Sequence, residues 1–326
     1  MITVGIDHGT TGIKVCIRED GRNTFFVLPR SEVKKRSFLG ELSKYVDPGE
    51  IDLISVCYSM GDGIDRILPI EKVKNRGVVS TEGVGEKIGG GTKVFDEIKE
   101  SNLPAVVIPG LHRGIKCIDR RFRALYSHIA SPEKLCMAYS AYKILGLRDF
   151  ILSDISSNTV TLIVREGRVF GGFDACIGAP GLLHGPIDLE MIRAIDSKRI
   201  SANEAFSTGG VIKIARDRYR GVEGTLEEFR RCYKRDERCT LAIESLILSV
   251  AMEINALMPL NPSRDVVLTG SLVSVKEFAL PERLKELVDG NFHLMEGESG
   301  ALGGALIAED ILKGVRSILG VEVDYR

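Results

Sequence analysis

Apolar and polar residues alternate on both sides of the stretch GIDHGTTGIK near the start of the chain. β-Branched residues occupy every second position over 2–6 and again over 13–17, and the residues between the two runs are polar or glycine. Such alternation, broken by Gly, Asp and Thr, is typical of two strands joined by a tight turn. The pattern predicts a β-hairpin with its turn over 7–12.

The same pattern returns in the second half of the chain. The stretch VGIDHGTTGIKVCIREDGRNTFF from Val4 lies over ILSDISSNTVTLIVREGRVFGGF from Ile151 without a gap. In each copy an apolar strand ends in an aspartate, Asp7 or Asp154, and a polar turn, a second strand and a further turn into a third strand follow. An internal repeat of this kind predicts two similar domains whose aspartate hairpins converge on a shared cleft.

Helical and strand periods alternate after the second hairpin. Apolar residues fall at helical spacing over 243–257, DVVLTGSLV from Asp265 is typical of a buried strand, and Ser299 is a candidate N-cap of a final helix rich in small residues. This order predicts mixed α/β domains. Because the first helical stretch includes Glu244 and Glu253, we interpret it as a buried amphipathic helix and not as a membrane span.

Composition and charge mainly exclude classes of protein. A chain of 326 residues with 44% apolar and 27% charged residues predicts a compact protein of two domains, and a net charge of −1 gives no overall field that would attract nucleic acid. The basic runs at 113–123 and 230–238 are interpreted as solvated helix faces. No charged N-terminal segment leads into an apolar core, which predicts a cytoplasmic protein. Seven cysteines without a CxxC pair predict reduced thiols, and the five histidines lack metal-ligand spacing.

The first turn offers the chemistry that a phosphate group needs. Its two glycines permit close approach of the backbone, its two threonines add hydroxyl donors, and its aspartate could hold a hydrated cation. These residues are Asp7, Gly9, Thr10, Thr11 and Gly12. A plain hairpin turn uses the same residue types. The second copy at Asp154 is what favours the functional interpretation.

The order of two aspartate hairpins, a strand with TGS and a final Gly-Ala helix resembles the superfamily of acetate and sugar kinases, heat-shock chaperones and actin over nearly the whole chain. The resemblance implies an α/β, duplicated ribonuclease H-like (actin-like ATPase) fold, with two domains of mixed sheets flanked by helices and an interdomain cleft. It implies an N-terminal domain at 1–145, with a substrate-side insertion at about 56–125, and a C-terminal domain at 146–326 with the second phosphate loop and the adenosine motif.

The resemblance also implies ATP and Mg²⁺ as cofactors, and catalytic roles for Asp7, Lys14 and Asp154, with the two aspartates at the metal. The first phosphate loop would comprise Gly9, Thr10, Thr11 and Gly12, the second Ser156, Ser157 and Asn158, and the adenosine wall Gly270, Ser271, Gly300 and Gly303. Taken alone, the last helix is equally well explained by close packing on a sheet.

The layout is closer to acetate and butyrate kinases than to the longer sugar kinases. VCYSMGDGIDRILPIEKVKNRGV from Val56 is similar to the segment that lines the acid-binding side of butyrate kinase. The substrate candidates are Ser59, Asp62, Arg66 and Arg113, with Arg76 as a further option for an arginine that clamps a carboxylate. GEKIGGGTKVFDEI, with Thr92 as a candidate N-cap, could also hold a substrate anion.

Five stretches, IDHGTTGIK, YSMGDGI, GGGTKVFDEI, IPGLHR and YSHIASPEK, are similar to the archaeal family called methanogenesis marker protein 12. Two functions follow from the resemblance. One is a Mg²⁺-dependent ATPase that acts as a conformational module on a protein partner in methanogen metabolism, like the activators of hydroxyacyl-coenzyme A dehydratases. The other is a phosphotransferase that acts on a small carboxylic acid. DISSNT lacks the glycines of the butyrate kinase second loop, which favours the module.

The expected partners are therefore a nucleotide with either a small acid or a protein, and neither nucleic acid nor a membrane. Whether ATP is turned over and whether the chain forms a homodimer stay open. DACIGAPG from Asp174 resembles the first cysteine motif of the dehydratase activators, but Cys176 has no matching second cysteine. We therefore expect no iron–sulfur cluster.

Overall fold

The computed structural model describes residues 1–9, 12–58, 60–80, 90–215 and 222–325. The chain divides into two compact units. The first comprises Met1–Arg148, Glu166–Gly171 and Glu298–Arg326, and the second comprises Asp149–Arg165 and Gly172–Gly297. The expected boundary at residue 145 lies close to the first break, whereas the last segment of the expected C-terminal domain groups with the first unit.

Strands and helices alternate through the described chain. The strands are β1 (Ile2–His8), β2 (Gly12–Glu19), β3 (Arg22–Pro29), β4 (Leu53–Cys57), β5 (Leu68–Pro69), β6 (Ala105–Ile108), β7 (Leu111–His112), β8 (His128–Ala130), β9 (Phe150–Ile155), β10 (Thr159–Arg165), β11 (Arg168–Phe173), β12 (Asp265–Thr269), β13 (Asn291–Leu294), β14 (Ser317–Ile318) and β15 (Val321–Glu322). The helices are α1 (Arg30–Val33), α2 (Phe38–Leu42), α3 (Gly90–Glu100), α4 (Arg120–Leu125), α5 (Pro132–Leu145), α6 (Leu189–Asp196), α7 (Ala202–Thr208), α8 (Ile212–Ala215), α9 (Val222–Cys232), α10 (Glu237–Leu257), α11 (Leu280–Leu287) and α12 (Ser299–Leu312). Short 3-10 turns lie at Pro48–Glu50, Ile70–Lys72, Asn75–Gly77, Met258–Leu260 and Lys276–Phe278.

In the first unit the predicted hairpin is present and lies within a sheet of strand order β3-β2-β1-β4-β6-β5. β1 pairs antiparallel with β2 and parallel with β4, and β2 pairs antiparallel with β3. The β-branched residues of β1 and β2 are buried in the core of this unit. Their alternating pattern therefore marks a real pair of core strands.

Helix α12 packs on β1 at backbone contact. A Cβ atom on Gly5 would lie 2.0 Å from the carbonyl oxygen of Ala301, so a glycine is needed where helix and strand cross. Thr3 donates from Oγ1 to the carbonyl oxygen of Ala305 at 3.1 Å. This packing fixes the last helix of the chain in the first unit.

In the second unit the repeat contributes to a sheet of strand order β11-β10-β9-β12-β13. β9 pairs antiparallel with β10 and parallel with β12, and Thr269 lies opposite Asp154. The predicted helix over 243–257 is confirmed as part of α10, which buries Ile243 and Leu246. Within the described ranges, the helical stretch 237–260 is long and apolar enough to cross a membrane, but half of its apolar window is buried, and core helices of soluble proteins pass the same test.

The prediction of reduced thiols is wrong for one pair of cysteines. Cys232, the last residue of α9, is joined by a disulfide to Cys239 in the first turn of α10. The turn between the helices brings the two Cα atoms to 5.9 Å, a normal separation for a disulfide. A search for CxxC spacing misses this pair because the contact arises from the turn. The free cysteines are Cys16, Cys57, Cys117, Cys136 and Cys176.

Candidate functional site

The first strand of the first aspartate hairpin carries a buried carboxylate near its end. Asp7 is 2% exposed and lies opposite the half-buried Lys14 in the pairing of β1 with β2. A Cβ atom on Gly300 would lie 2.6 Å from Asp7 Oδ2, so the first turn of α12 is packed against the carboxylate. The N-terminal end of a helix carries partial positive charge and favours a negative group at this position.

The turn of this hairpin is described only in part. A Cβ atom on Gly9 would lie 3.1 Å from the carbonyl oxygen of Gly12 and 3.8 Å from Lys14 Cε, so the lysine side chain lies near Gly9. Gly12 begins β2. The expected phosphate ligands Thr10 and Thr11 lie outside the described residues.

The second aspartate hairpin is joined to the TGS turn by hydrogen bonds. Asp154 is 2% exposed, and its Oδ1 accepts a hydrogen bond from Ser156 Oγ at 2.8 Å. The same hydroxyl oxygen accepts from the backbone N–H of Ser271 at 3.1 Å. Gly270 has φ of +108°, and a Cβ atom there would lie 2.3 Å from Asp154 Oδ1. The structure thus brings Asp154, Ser156, Gly270 and Ser271 together within the second unit.

Segment 180–184 closes over the second loop, a contact that the sequence does not predict. Leu182 N–H donates to the carbonyl oxygen of Ser156 at 3.0 Å, and the N–H groups of residues 183 and 184 donate to that of Ser157 at 2.9 and 2.8 Å. A Cβ atom on Gly181 would lie 2.3 Å from the Cα atom of Asn158. The motif DACIGAPG therefore supplies a close-packing glycine, while its Cys176 is an exposed thiol.

Gly300 and Gly303 of the expected adenosine wall have packing partners in the first unit. A Cβ atom on Gly303 would lie 1.9 Å from the carbonyl oxygen of Cys136 in α5. Ser140 of α5 donates from Oγ to the carbonyl oxygen of Ser299 at 2.7 Å. Close packing of α12 on α5 explains the glycine at 303, while Gly270 and Ser271 belong to the second unit.

A cluster that was not predicted from the sequence surrounds His8 at the end of β1. His8 Nδ1 donates to the carbonyl oxygen of Cys57, and burial lowers the pKa of His8 to about 4, so the ring is neutral at physiological pH. Hydrogen bonding of the ring with the backbone at Cys57 and Gly91 acts in the opposite direction, but burial outweighs it. A Cβ atom on Gly91 would lie 2.8 Å from the ring, which places the start of α3 against it.

Tyr58 and Arg76 extend the His8 cluster. The Tyr58 ring lies edge-on to His8 with centroids 5.7 Å apart, and its hydroxyl oxygen is 2.7 Å from Thr92 Oγ1. Thr92 is the third residue of α3, so its prediction as the N-cap is wrong. Arg76 Cζ lies 6.0 Å from the Tyr58 ring centroid, and a guanidinium nitrogen is 3.8 Å from Asp96. Arg76 has φ of +53°, a strained conformation for a residue with a side chain.

The three candidate arginines differ in their surroundings. Arg66 pairs with Asp65 at 2.8 Å and with Glu322 at 3.1 Å, and these ion pairs use its guanidinium on the surface. Arg113 is exposed. Arg76 is the candidate that contacts Tyr58 of the His8 cluster. Substrate binding by Arg66 or Arg113 stays a prediction.

The two remaining substrate candidates give less information. Asp62 Oδ1 accepts from the backbone N–H of Val79 at 2.9 Å, and its Oδ2 lies 3.5 Å from His128 Nε2. These contacts give Asp62 a role in fixing the local backbone. Ser59 lies outside the described residues.

The two aspartates offer the kind of ligand that magnesium uses. Within the part of the chain that the structure describes, no group of three or more His, Cys, Asp and Glu residues could hold a metal ion. Magnesium keeps several water molecules and takes one or two carboxylates together with substrate phosphates. Asp7 and Asp154 each lie near the end of a strand, and each can supply one such carboxylate.

Comparisons with known proteins identify close relatives. A family model described as a protein of unknown function (DUF1464) matches residues 5–319. The chain is similar to a UPF0285 protein from Methanococcus aeolicus, with 66% identity over 99% of this chain and 100% of that protein. A UPF0285 protein from Methanothermobacter thermautotrophicus is 44% identical over 99% of each chain. These relatives confirm the predicted resemblance to an archaeal methanogen family.

Solved kinase structures share the fold. An acetate kinase from Porphyromonas gingivalis is similar with a TM-score of 0.61 and 12% identity, covering 95% of this chain and 99% of that one. A ROK hexokinase from Thermus thermophilus is similar with a TM-score of 0.55 and 16% identity, covering 97% and 100%. The chain has the duplicated actin-like α/β fold of these kinases, which confirms the predicted fold class.

Proposed function

The chain belongs to the DUF1464 family, and we propose that it is a cytoplasmic, ATP- and Mg²⁺-dependent phosphotransferase that acts on a small carboxylic acid. The observation that carries this proposal is the matched construction of the two aspartate loops. In each unit the first strand of the repeat ends in an almost fully buried aspartate, and a glycine from a distant element packs on the carboxylate, Gly300 on Asp7 and Gly270 on Asp154. Burying a carboxylate is costly and a simple hairpin needs none, so the arrangement supports a binding role.

The roles of the loop residues follow from their chemistry. Asp7 and Asp154 would hold hydrated magnesium, which neutralises phosphate charge when bound. Lys14 would offset the negative charge on the phosphoryl group during transfer. Residues 156–158 would bind phosphate oxygens through hydroxyl and amide groups, and residues 270–271 would contact the adenosine.

The His8 cluster supports a small acid as the phosphoryl acceptor. Arg76 holds its guanidinium over the Tyr58 ring, and an arginine fork binds a carboxylate through two parallel hydrogen bonds. We therefore propose Arg76 as the carboxylate clamp.

The glycine-free second loop does not argue against phosphate binding. Gly181 and Gly270 approach it from other segments of the second unit and provide the close packing that its own sequence lacks. The reason for preferring an ATP-driven conformational module therefore no longer applies. We favour the acid phosphotransferase.

Nucleotide binding is tested with the purified full chain. ATP with Mg²⁺ at a hundred times its Kd should raise the free energy of unfolding by about 2.7 kcal/mol, measured by thermal or denaturant unfolding. If ATP, ADP and GTP with magnesium all leave the unfolding curve unchanged, nucleotide binding is contradicted.

Acceptor use is tested with a panel of short-chain carboxylic acids, with acyl phosphate and ADP as the measured products. We expect ADP to form only with particular acids. Arg76→Lys should raise the KM for the accepted acid about tenfold, because the guanidinium fork is lost, while the surface control Arg66→Lys leaves it unchanged. ATP hydrolysis that ignores every acid but responds to an added native extract would favour the conformational module instead.

A further inference from the structure

The disulfide between Cys232 and Cys239 closes a ring over residues 232–239, where α9 ends and α10 begins. Cys232 is partly exposed and Cys239 is buried, so Cys232 is the cysteine that a reductant in solution approaches. Disulfides in a compartment that keeps thiols reduced are usually transient. In the cytoplasmic location that we propose for this chain, the disulfide is therefore open to reversible reduction.

Tyr233 lies within this ring and packs on the segment that follows the TGS turn. Tyr233 is 6% exposed, and its ring lies edge-on to that of the fully buried Phe278, with the centroids 5.3 Å apart. Arg230, in the last turn of α9, donates to Glu277 Oε1 at 2.9 Å. The end of α9 is therefore joined to two consecutive residues by a buried ring contact and a surface ion pair.

Residues 270–278 form a series of turns that leads back to the second loop. The Phe278 N–H donates to the carbonyl oxygen of Val275 at 3.1 Å, and the Val275 N–H donates to that of Leu272 at 3.2 Å. The Leu272 N–H donates in turn to the carbonyl oxygen of Ile155, the last residue of β9, at 3.0 Å. The end of α9 is thus linked, through hydrogen-bonded turns, to the loop that carries the proposed nucleotide ligands.

We propose that the Cys232–Cys239 disulfide is a redox switch. When it is oxidised, it holds Tyr233 on Phe278 and keeps the TGS turn rigid, and its reduction by a dithiol loosens that turn and weakens nucleotide binding. A cross-link restricts the freedom of the residues that it encloses, and a more rigid site loses less entropy when its ligand binds. The effect on nucleotide affinity rests on the proposed function of the second loop, whereas the effect on the turn does not.

The switch operates by thiol–disulfide exchange. A thiolate of the dithiol attacks the Cys232 sulfur, and the Cys239 sulfur leaves as a thiolate and takes up a proton. The second thiol of the reductant then attacks the mixed disulfide and releases the Cys232 thiol. Two electrons and two protons pass from the dithiol to the two cysteines, and the reductant becomes a disulfide.

Hydrogen exchange and isothermal titration of the full chain, before and after native treatment with excess dithiothreitol, test the proposal. Mass spectrometry of alkylated peptides monitors the thiols of Cys232 and Cys239. Reduction should speed amide exchange over residues 270–278 at least about threefold, while exchange in β6 of the first unit stays unchanged. It should raise the Kd for ATP with Mg²⁺ about fivefold. Oxidised glutathione should restore both values.

The outcomes separate the switch from the nucleotide site. Faster exchange over residues 270–278 in a chain that binds no ATP in either state would support redox control of the turn and contradict the proposed nucleotide site. A disulfide that resists dithiothreitol, unchanged exchange after reduction, or an equal Kd for ATP in both states would overturn the proposal.

Four variants test the route from the disulfide to the turn. Cys232→Ser cannot form the disulfide and should behave like the reduced wild type under both conditions. Cys176→Ser removes an exposed free thiol of the same unit and should keep the full redox response. Tyr233→Leu keeps the disulfide but loses the ring contact, so reduction should no longer change exchange over residues 270–278, whereas Tyr233→Phe should respond like the wild type. A redox response of wild-type size in Cys232→Ser or in Tyr233→Leu would overturn the proposal.

Discussion

The two aspartate loops reach a similar local arrangement by different routes. Both place an aspartate that is 2% exposed at the end of a strand, with a glycine packed on its carboxylate. The first loop carries Gly9 and Gly12 in its own turn, whereas the second has no glycine and is closed by Gly181 and Gly270 from other segments. A close-packed polar loop can therefore be built from neighbouring residues or from contacts that are distant in sequence.

The loops also differ in charge. Lys14 lies opposite Asp7 in the first hairpin, whereas Val160 lies opposite Asp154 in the second. A lysine beside the reacting phosphate acts on the charge that develops during transfer. We therefore expect changes in the first loop to act mainly on kcat, and changes around the second loop to act on nucleotide affinity and on stability as well.

The largest effect should come from the charged groups themselves. Asp7→Asn, Lys14→Ala and Asp154→Asn should each lower ATP turnover about a hundredfold or more, because each removes a charge that stabilises the phosphates or their metal. Turnover and melting temperature are measured on the same samples. The exposed control Asp196→Asn should leave both unchanged. A loss of melting temperature with normal nucleotide binding would mean that the hairpins are structural only.

The second largest effect should come from Gly270, the glycine of the TGS turn that packs on the second loop. Gly270→Ala should lower the free energy of unfolding by about 2 kcal/mol or more, because alanine is strained at φ of +108° and its Cβ atom would lie 2.3 Å from Asp154 Oδ1. Gly21→Ala is the matched control, since Gly21 has φ of +86° with nothing within 4 Å of the added atom. It should lose about 1 kcal/mol from backbone strain alone. Equal losses in urea unfolding would show that the packing on Asp154 is not tight.

Acid should affect the two units with opposite signs. The folded pKa of His8 is lowered from 6.5 to about 4, so the unfolded chain takes up the proton first, and a change from pH 7 to 5.5 should cost about 1 kcal/mol of unfolding free energy. The folded pKa of Glu253 is raised from 4.5 to about 7, so the same change should stabilise the folded chain by about 1.5 kcal/mol. Denaturant unfolding at the two pH values should show that His8→Asn gains stability in acid relative to the wild type, whereas Glu253→Gln loses it. Identical pH slopes for the two variants would contradict both assignments.

The smallest effect should come from the hydroxyl group that links the second loop to the TGS turn. Ser156→Ala removes a donor to Asp154 and an acceptor for the Ser271 N–H, and should cost about 0.5–1 kcal/mol of unfolding free energy. It should also weaken nucleotide binding. Ser317→Ala, at an exposed position of β14, should change neither quantity measurably. If the two variants behave alike in unfolding and nucleotide titrations, the link to Asp154 has no energetic importance.

The sequence predicts the elements whose signal is local. Period-two alternation identifies the strands of both hairpins, and helical spacing identifies α10. The prediction of Ser299 as the N-cap of α12 is wrong by one position, because Glu298 is the N-cap and Ser299 is the first residue of the helix. The repeat identifies the two aspartates as corresponding positions. The strand and helix signals each lie within about twenty residues, and the repeat is found by comparing the chain with itself, so none of them needs knowledge of tertiary packing.

The sequence does not predict the features that depend on tertiary contacts. Arg76 has the same appearance in the sequence as Arg66, and only the contact with Tyr58 separates them. Gly181 ends the motif DACIGAPG, in which the recognisable sequence signal is the cysteine. The contact of Gly181 with Asn158 joins segments that are not adjacent in the chain. The grouping of α12 with the first unit likewise follows from its backbone contact with β1 and not from its order in the chain.

Gly181 and Gly270, which pack on the second loop from other segments, affect how sequence differences within this family are interpreted. The second loop is a discontinuous motif, with its proposed binding groups at 154 and 156–158 and its two packing glycines at 181 and 270. In an alignment of distant relatives we expect these positions to covary: a chain that gains a glycine inside the loop is free to change at 181, and a chain that keeps the loop DISSNT should keep both distant glycines. A pattern search confined to the loop would score such relatives as degenerate although the arrangement around Asp154 is intact.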